Sequence, residues 1–257
     1  MIWIGDLPML HYCQTFYRRR KQTFLTLFFL VVSSGLLGCT NMRGLGTSLF
    51  GESSSLERDE FVGEGDLESI HEPLPKLTLA ITPEVRREIV RYTTRERGTV
   101  EEVLSQRGES FESIQRLLKK KGVPEELVSL AAVESNLNQY ARSPAGATGL
   151  WQFMRRTAQS YGLEVSRTRD ERLDFTRSTL AAAQHLRDLF RAYGDWGLAL
   201  AAYNAGRTKI NRKLRKTKAT DFWQLAHAGE LSNETRRFVP RVIAMTLILD
   251  NPSRYGF

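Results

Sequence analysis

Glu134 is a carboxylate in an apolar helical stretch. It closes the run Pro124-Glu-Glu-Leu-Val-Ser-Leu-Ala-Ala-Val-Glu-Ser135. Leu127, Leu130, Ala131 and Glu134 fall at i, i+3, i+4 and i+7, so a helix puts all four on one face. A carboxyl on such a face loses solvation in its charged form, and its pKa rises. A carboxyl that holds its proton near pH 7 can act as a general acid. The plainer alternative is a stripe that ends one turn early, with Glu134 as a solvated last-turn residue. On this helix alone the plainer alternative is favoured.

Three further blocks reverse that preference. The first runs Glu134-Ser135-Asn136 and then Ser143-Pro-Ala-Gly146-Ala-Thr-Gly149-Leu-Trp-Gln152-Phe-Met154. The second is Ala201-Ala-Tyr203-Asn204-Ala-Gly206, and the third is Asn233-Glu234-Thr-Arg-Arg-Phe238-Val-Pro240. Gly146 and Gly149 permit tight turns and close backbone approach. Gln152 offers both donor and acceptor groups. Tyr203 and Asn204 end an apolar helix at a glycine stop, so their polar tips emerge together. An acid flanked by amides, hydroxyls and aromatic rings suits a sugar, which needs directional hydrogen bonds and flat stacking surfaces. Each block alone is an ordinary loop, helix end or cap; their joint occurrence in this order is not.

The elements that must position these residues read as helices throughout. Thr82-Pro83-Glu84 is an N-cap, a proline at the first helical position and an acid in the first turn, opening a helix to about Arg95. A second covers about Ser110 to Lys121, with Phe111, Ile114, Leu117 and Leu118 on one face, and Pro124 opens the helix of Glu134. Further helices are expected over about Arg155 to Tyr161, from an Asp174 cap to Tyr193, and from an Asp195 cap through Trp196 to Ala205. The last two run near Thr208 to Arg215 and from Asn233 to about Leu249, with Pro240 expected to kink the latter. In the long helix Thr179, Ala182, Leu186, Leu189 and Phe190 should point inward. No strand pair and no internal repeat is evident. The expected fold is all-α, a single compact domain.

The chain has 257 residues and a formal net charge of +8. That balance suits an anionic partner: nucleic acid, a membrane surface or an acidic polymer. Its 2 cysteines, Cys13 and Cys39, both precede the folded part, so no disulfide framework is expected there. The 4 histidines have no ligand spacing, and no metal is expected. Arg18-Arg-Arg-Lys21 followed by the uncharged run Thr23–Leu37 has the form of a signal peptide, too short for a spanning helix. Leu36-Leu-Gly-Cys39 resembles a lipobox, which implies cleavage before Cys39 and lipidation of its thiol. The alternatives are an uncleaved signal anchor or cleavage elsewhere. Thr40, not aspartate, follows the cysteine, which by that resemblance favours the outer membrane. Residues 40–82 are then a Gly-, Ser- and Glu-rich tether, 83–122 a short helical prefix and 123–257 the catalytic domain.

Taken together, the E-S, S-P-x-G-A-x-G-L-x-Q-x-M, A-x-Y-N-A-G and E-T-R-x-F-V elements resemble the lytic transglycosylases, the lysozyme-like fold of the soluble lytic transglycosylase family. The reading G-L-W-Q-F-M with E-T-R-x-x-V-P is similar to a membrane-bound branch of that family. No LysM-like repeat follows Asn251, although that branch often carries them. The resemblance implies cleavage of the β-1,4 bond between N-acetylmuramic acid and N-acetylglucosamine without water, leaving a 1,6-anhydro end. One carboxyl, Glu134, would protonate the leaving oxygen and then accept the C6 hydroxyl proton, with no cofactor. Ser143, Gln152 and Met154 would line the sugar cleft. Tyr203 and Asn204 would sit near Glu134, Tyr203 bonding it or the substrate acetamido group. Glu234 matches a late acidic position beside the cleft, and Phe238 stands where many members have tyrosine. The implied partners are peptidoglycan strands and a membrane through the lipid, with the protein a monomer facing the periplasm. Two rivals stand: a goose-type muramidase, in which water attacks, and a non-catalytic glycan-binding protein. The export signal and the lack of a binding motif weigh against nucleic acid.

Overall fold

The computed structural model describes residues 72–257. The expectations for the signal segment, for Cys39 and for residues 40–71 lie outside the described residues. Ten α-helices are present among those described: α1 (Pro83–Thr93), α2 (Arg97–Ser105), α3 (Glu109–Lys120), α4 (Val128–Ser135), α5 (Arg155–Ser160), α6 (Phe175–Tyr193), α7 (Trp196–Ala205), α8 (Arg207–Thr217), α9 (Phe222–His227) and α10 (Asn233–Asp250). Two short 3₁₀ turns lie between them and a third follows α10, and no strand pair forms among the described residues, only isolated bridges. The all-α expectation holds.

Local chemistry accounts for most boundaries. Thr82 Oγ1 accepts from the Val85 amide at 3.3 Å with Pro83 at the first helical position. Asp174 and Asp195 accept from the Arg177 and Leu198 amides at 2.7 and 2.6 Å, capping α6 and α7 as the sequence implied. α6 stops at Gly194, whose φ of +65° is the left-handed cap that favours glycine.

α4 and α7 are short, rich in alanine and leucine, and buried on nearly every side. A helix that is apolar all round belongs in the centre of a bundle. α10 packs against both, and also against α1; α6 lies on α7 and α3. A buried hydroxyl pair, Ser129 with Thr246 at 2.6 Å, ties α4 to α10. Of the residues expected inward on α6, Thr179, Ala182, Leu186 and Leu189 are buried and Phe190 is half-buried.

Some details differ from the sequence reading. α2 and α9 had no sequence assignment. Residues 72–82 form no helix but are strapped to the body: Leu74 N–H donates to the Gly122 carbonyl at 2.8 Å, and Trp196 Nε1 to the Pro75 carbonyl at 2.7 Å. Arg187, buried on α6, adds donations to the carbonyls of Glu72 and Lys121. One apolar core runs across residue 122, from Val85 and Tyr92 of α1 to Ile248 of α10. No helix among the described residues is long and apolar enough to cross a membrane.

Candidate active site

Glu134 lies in the last turn of α4, directly before a break in the chain direction. Asn136 and Leu137 both take left-handed backbone angles, φ +54° and +63°. Side chains tolerate that conformation only where surroundings enforce it. α2 and the residue that ends it hold this bend: Gln106 Nε2, just past α2, donates to the Asn136 carbonyl at 3.0 Å, and Asn136 Nδ2 donates to Glu102 of α2 at 3.2 Å. The helix that sequence reasoning missed therefore fixes the end of the helix carrying Glu134.

The Gly-rich loop is fastened over the same end. Ser135 Oγ donates to the carbonyl of Leu150 at 2.8 Å and to that of Ala131 at 3.1 Å. The adjacent Trp151 is fully buried and donates through Nε1 to Thr179 of α6 at 3.1 Å. Gly149 has φ +86°, and its Cα faces the Arg172 carbonyl so closely that a Cβ would lie 2.0 Å from that oxygen. Arg172, buried, forks onto Asp170 with two bonds of 2.8 Å. Its remaining nitrogen donates to the carbonyls of Gly146 and Phe153, both at 3.0 Å, so one guanidinium ties both ends of the loop.

Within that frame Glu134 is half-buried, and no side chain among the described residues hydrogen-bonds its carboxyl. Loss of solvation is the first cause of a pKa pushed up from 4.5 to about 8. The negative charge of Glu234 adds to the rise, and Arg241 opposes it. The expected helix is present over Val128–Ser135, with Glu134 half-buried in its last turn. Arg241 is the residue sequence reasoning did not single out. It sits one turn beyond Arg237, in a run that looked like an ordinary charged face.

Tyr203 also feels the Glu134 charge, and burial is the larger cause of its raised pKa. Its hydroxyl does not reach Glu134: it donates to the Trp151 carbonyl at 2.7 Å. Tyr203 packs on His185 at 5.0 Å between ring centres, and His185 in turn on Tyr161 at 4.8 Å. Burial drives the His185 imidazole down to about 4, so it is neutral in this wall. Asn204 Oδ1 accepts from the Thr235 hydroxyl at 2.9 Å, and its amide lies 3.5 Å from Glu234. Glu134, Tyr203, Asn204 and Glu234 are thus drawn into one neighbourhood by α4, α7 and α10.

The other three expected residues belong to the loop. Ser143 Oγ accepts from the Ala147 amide at 3.0 Å and shapes the turn. Gln152, at φ +47°, spends its amide on the carbonyls of Gly149 and Ala141. Met154 is 48% exposed. No hydrogen bond among the described residues links these three to Glu134. Of the remaining acids, Asp174 and Asp195 are caps as expected. Glu171 is buried, accepting from the Glu164 amide and paired with Arg169 and Arg177. No group of three or more potential ligands converges on a metal position among the described residues.

A carboxyl so placed, with Tyr203, Asn204 and Glu234 in its neighbourhood, can deliver a proton to an oxygen and take one back. Residues 112–226 match the Transglycosylase SLT domain family. Over 144 residues the chain is 40% identical to membrane-bound lytic murein transglycosylase D of Escherichia coli strain K12, a match covering 54% of this chain. It spans 31% of that relative's length. Among solved structures it is similar to an inactive mutant of lytic transglycosylase Slt from Pseudomonas aeruginosa (TM-score 0.46, 24% identity, 56% of this chain and 24% of that one). It is also similar to the 70 kDa soluble lytic transglycosylase of Escherichia coli (TM-score 0.43, 18% identity, 69% of this chain and 37% of that one).

Proposed function

We propose that this chain is a peptidoglycan lytic transglycosylase that cuts the MurNAc-β-1,4-GlcNAc bond without water. Glu134 donates its proton to the leaving oxygen. The resulting carboxylate then accepts the proton of the muramic acid C6 hydroxyl as that oxygen closes onto C1, giving a 1,6-anhydro end. The nucleophile is part of the substrate, so orientation replaces a second activated group. The observation that carries this reading is the lone carboxyl of Glu134, kept protonated near neutrality by burial and by the charge of Glu234. Glycosidases of the ordinary kind divide acid and nucleophile or base between two carboxyls. Here Glu234 is exposed and bonded toward Asn204, which supports an electrostatic role beside the cleft. Ser143, Gln152 and Met154 we assign to the loop that borders the sugar, and Tyr203 to the wall behind it.

The test is digestion of purified sacculi, with the fragments weighed by mass spectrometry. The proposal expects fragment ends one water lighter than reducing ends, and their loss in Glu134→Gln. Reducing ends would move the assignment to a muramidase. Binding of glycan with no fragments released by the wild type would move it to a non-catalytic wall-binding protein, and an unchanged rate in Glu134→Gln would remove Glu134 as the acid.

We further propose that the protein acts as a monomer held at the envelope, facing the periplasm, through a lipid on Cys39, most simply at the outer membrane. The lipobox-like Leu36-Leu-Gly-Cys39 and the membrane-bound description of the similar protein support this. Cys39→Ala should abolish incorporation of labelled fatty acid.

A further inference from the structure

A cavity of about 820 Å³ opens between α1, the end of α9 and the first half of α10, and Glu134 does not line it. Its walls carry five guanidinium groups, Arg87 and Arg91 from α1, Arg95 from the turn after it, and Arg236 and Arg237 from α10, against the two carboxylates Glu84 and Glu88. Three of the five are already paired. Arg237 forks onto the buried Glu88 at 2.8 and 3.0 Å, Arg87 meets Glu84 at 3.1 Å, and Arg91 meets Glu96. Arg95 and Arg236 have no carboxylate partner among the described residues; Arg236 only reaches the Asn233 amide oxygen at 2.8 Å. Both are exposed at the rim. Between the charges lie apolar surfaces, Pro240 and Val90, the latter 55% exposed.

We infer that this recess binds a short acidic peptide through Arg95 and Arg236, and that the peptide is the one carried by the glycan in the cleft. The second half of this statement rests on the proposed function above. Guanidinium groups match carboxylates two bonds at a time. Two unpaired ones, one in the turn after α1 and one on α10, suit a ligand with carboxylates spaced along a chain better than a single small anion. Apolar surface between them suits the small side chains of a peptide. A concave recess receives a chain segment, whereas a flat membrane surface would meet exposed convex charge. α10 joins the two regions. Glu234 and Arg241, whose charges act on Glu134, alternate along it with Arg236, Arg237 and Pro240, which line the recess. One helical turn advances only about 5 Å, so a substituent on a sugar in the cleft has a short path to the recess.

The test titrates a free tetrapeptide bearing at least two carboxylates into the protein by calorimetry, with Arg95→Ala/Arg236→Ala as comparison. Neither side chain has an ion-pair partner to lose, and a thermal melt checks that the variant is folded. The expected result is binding that weakens with salt and weakens about tenfold or more in the variant, as loss of two charge-assisted contacts implies. A second arm compares cleavage of peptide-bearing glycan with that of peptide-stripped glycan. The ratio of the two should fall toward one in the variant. No peptide binding by the wild type, or equal binding by the variant, overturns the inference. Peptide binding by a protein that cuts neither glycan would uphold the recess and remove the reading of the cleft.

Discussion

Tyr203 donates its hydroxyl proton to the backbone carbonyl of Trp151 at 2.7 Å, across 52 positions of sequence. The bond joins the C-terminal end of α7 to the loop that crosses the end of α4. It accounts for the tyrosine lying near Glu134 without bonding it: the hydroxyl is spent on the loop, and the carboxyl has no side-chain hydrogen bond among the described residues.

Tyr203→Phe should therefore act through position rather than proton transfer. Leaving the Trp151 carbonyl unpaired in a buried setting costs about 1–2 kcal/mol. A urea melt should show that loss, and turnover should fall without a change in the pH midpoint of the rate.

Gly149→Ala should be worse. The backbone angle of +86° is one that side chains rarely adopt, and the new methyl would meet the Arg172 carbonyl oxygen at 2.0 Å. Backbone must move at both ends of the contact, and a loss of roughly 3 kcal/mol follows from combined strain and overlap. Thermal unfolding of the purified variant is the check; a melt within a degree of wild type would contradict the packing described for the loop.

Much of this was legible beforehand, because the signals were local. Thr82, Asp174 and Asp195 announce helix starts by chemistry that operates within three residues. Glu134, Tyr203, Asn204 and Glu234 stand in distinctive short motifs. α2 was missed because nothing marks its start: Glu96 makes no capping bond, and Gly98 lies inside it. α9 does have a cap, Asp221 accepting from the Gln224 amide at 2.8 Å, but the helix is only six residues long. Arg172 and Arg241 could not be told from surface arginines, since their partners lie far away in sequence: the Gly146 and Phe153 carbonyls for one, Tyr92 and Glu96 for the other. Tyr203's choice of a carbonyl over Glu134 depended on where the loop would lie, which no motif records.

Arg172→Ala should loosen the loop and strand Asp170. Losing one partner of a largely buried pair costs about 3 kcal/mol. Asp170 also has a pKa lowered from 3.8, chiefly by its bond from Arg172, so it binds fewer protons folded than unfolded near that pH. Its contribution is present above 3.8 and is lost as pH falls through the lower folded value. The wild type should accordingly lose stability in acid more steeply than Arg172→Ala, in melts recorded from pH 6 downward to about pH 3.

Glu134 has the opposite sign. Its pKa is raised from 4.5 to about 8, so the folded protein binds more protons than the unfolded chain between those values, and stability declines as pH climbs through that window. Glu134→Gln cannot ionise and should escape the decline. Across the window the gap between variant and wild type should grow in the variant's favour by on the order of 2 kcal/mol, allowing for partial solvation of the carboxyl. Paired melts at pH 5 and pH 8.5 measure it.

The most direct test is to titrate the Glu134 carboxyl itself. Carbon NMR of protein labelled at the glutamate side-chain carboxyls, with Glu134→Gln identifying the resonance, reads its protonation against pH. A midpoint near 8 is the predicted result. A midpoint near the ordinary 4.5 would mean the group is ionised at neutral pH, has no proton to give, and cannot be the acid that opens the glycosidic bond.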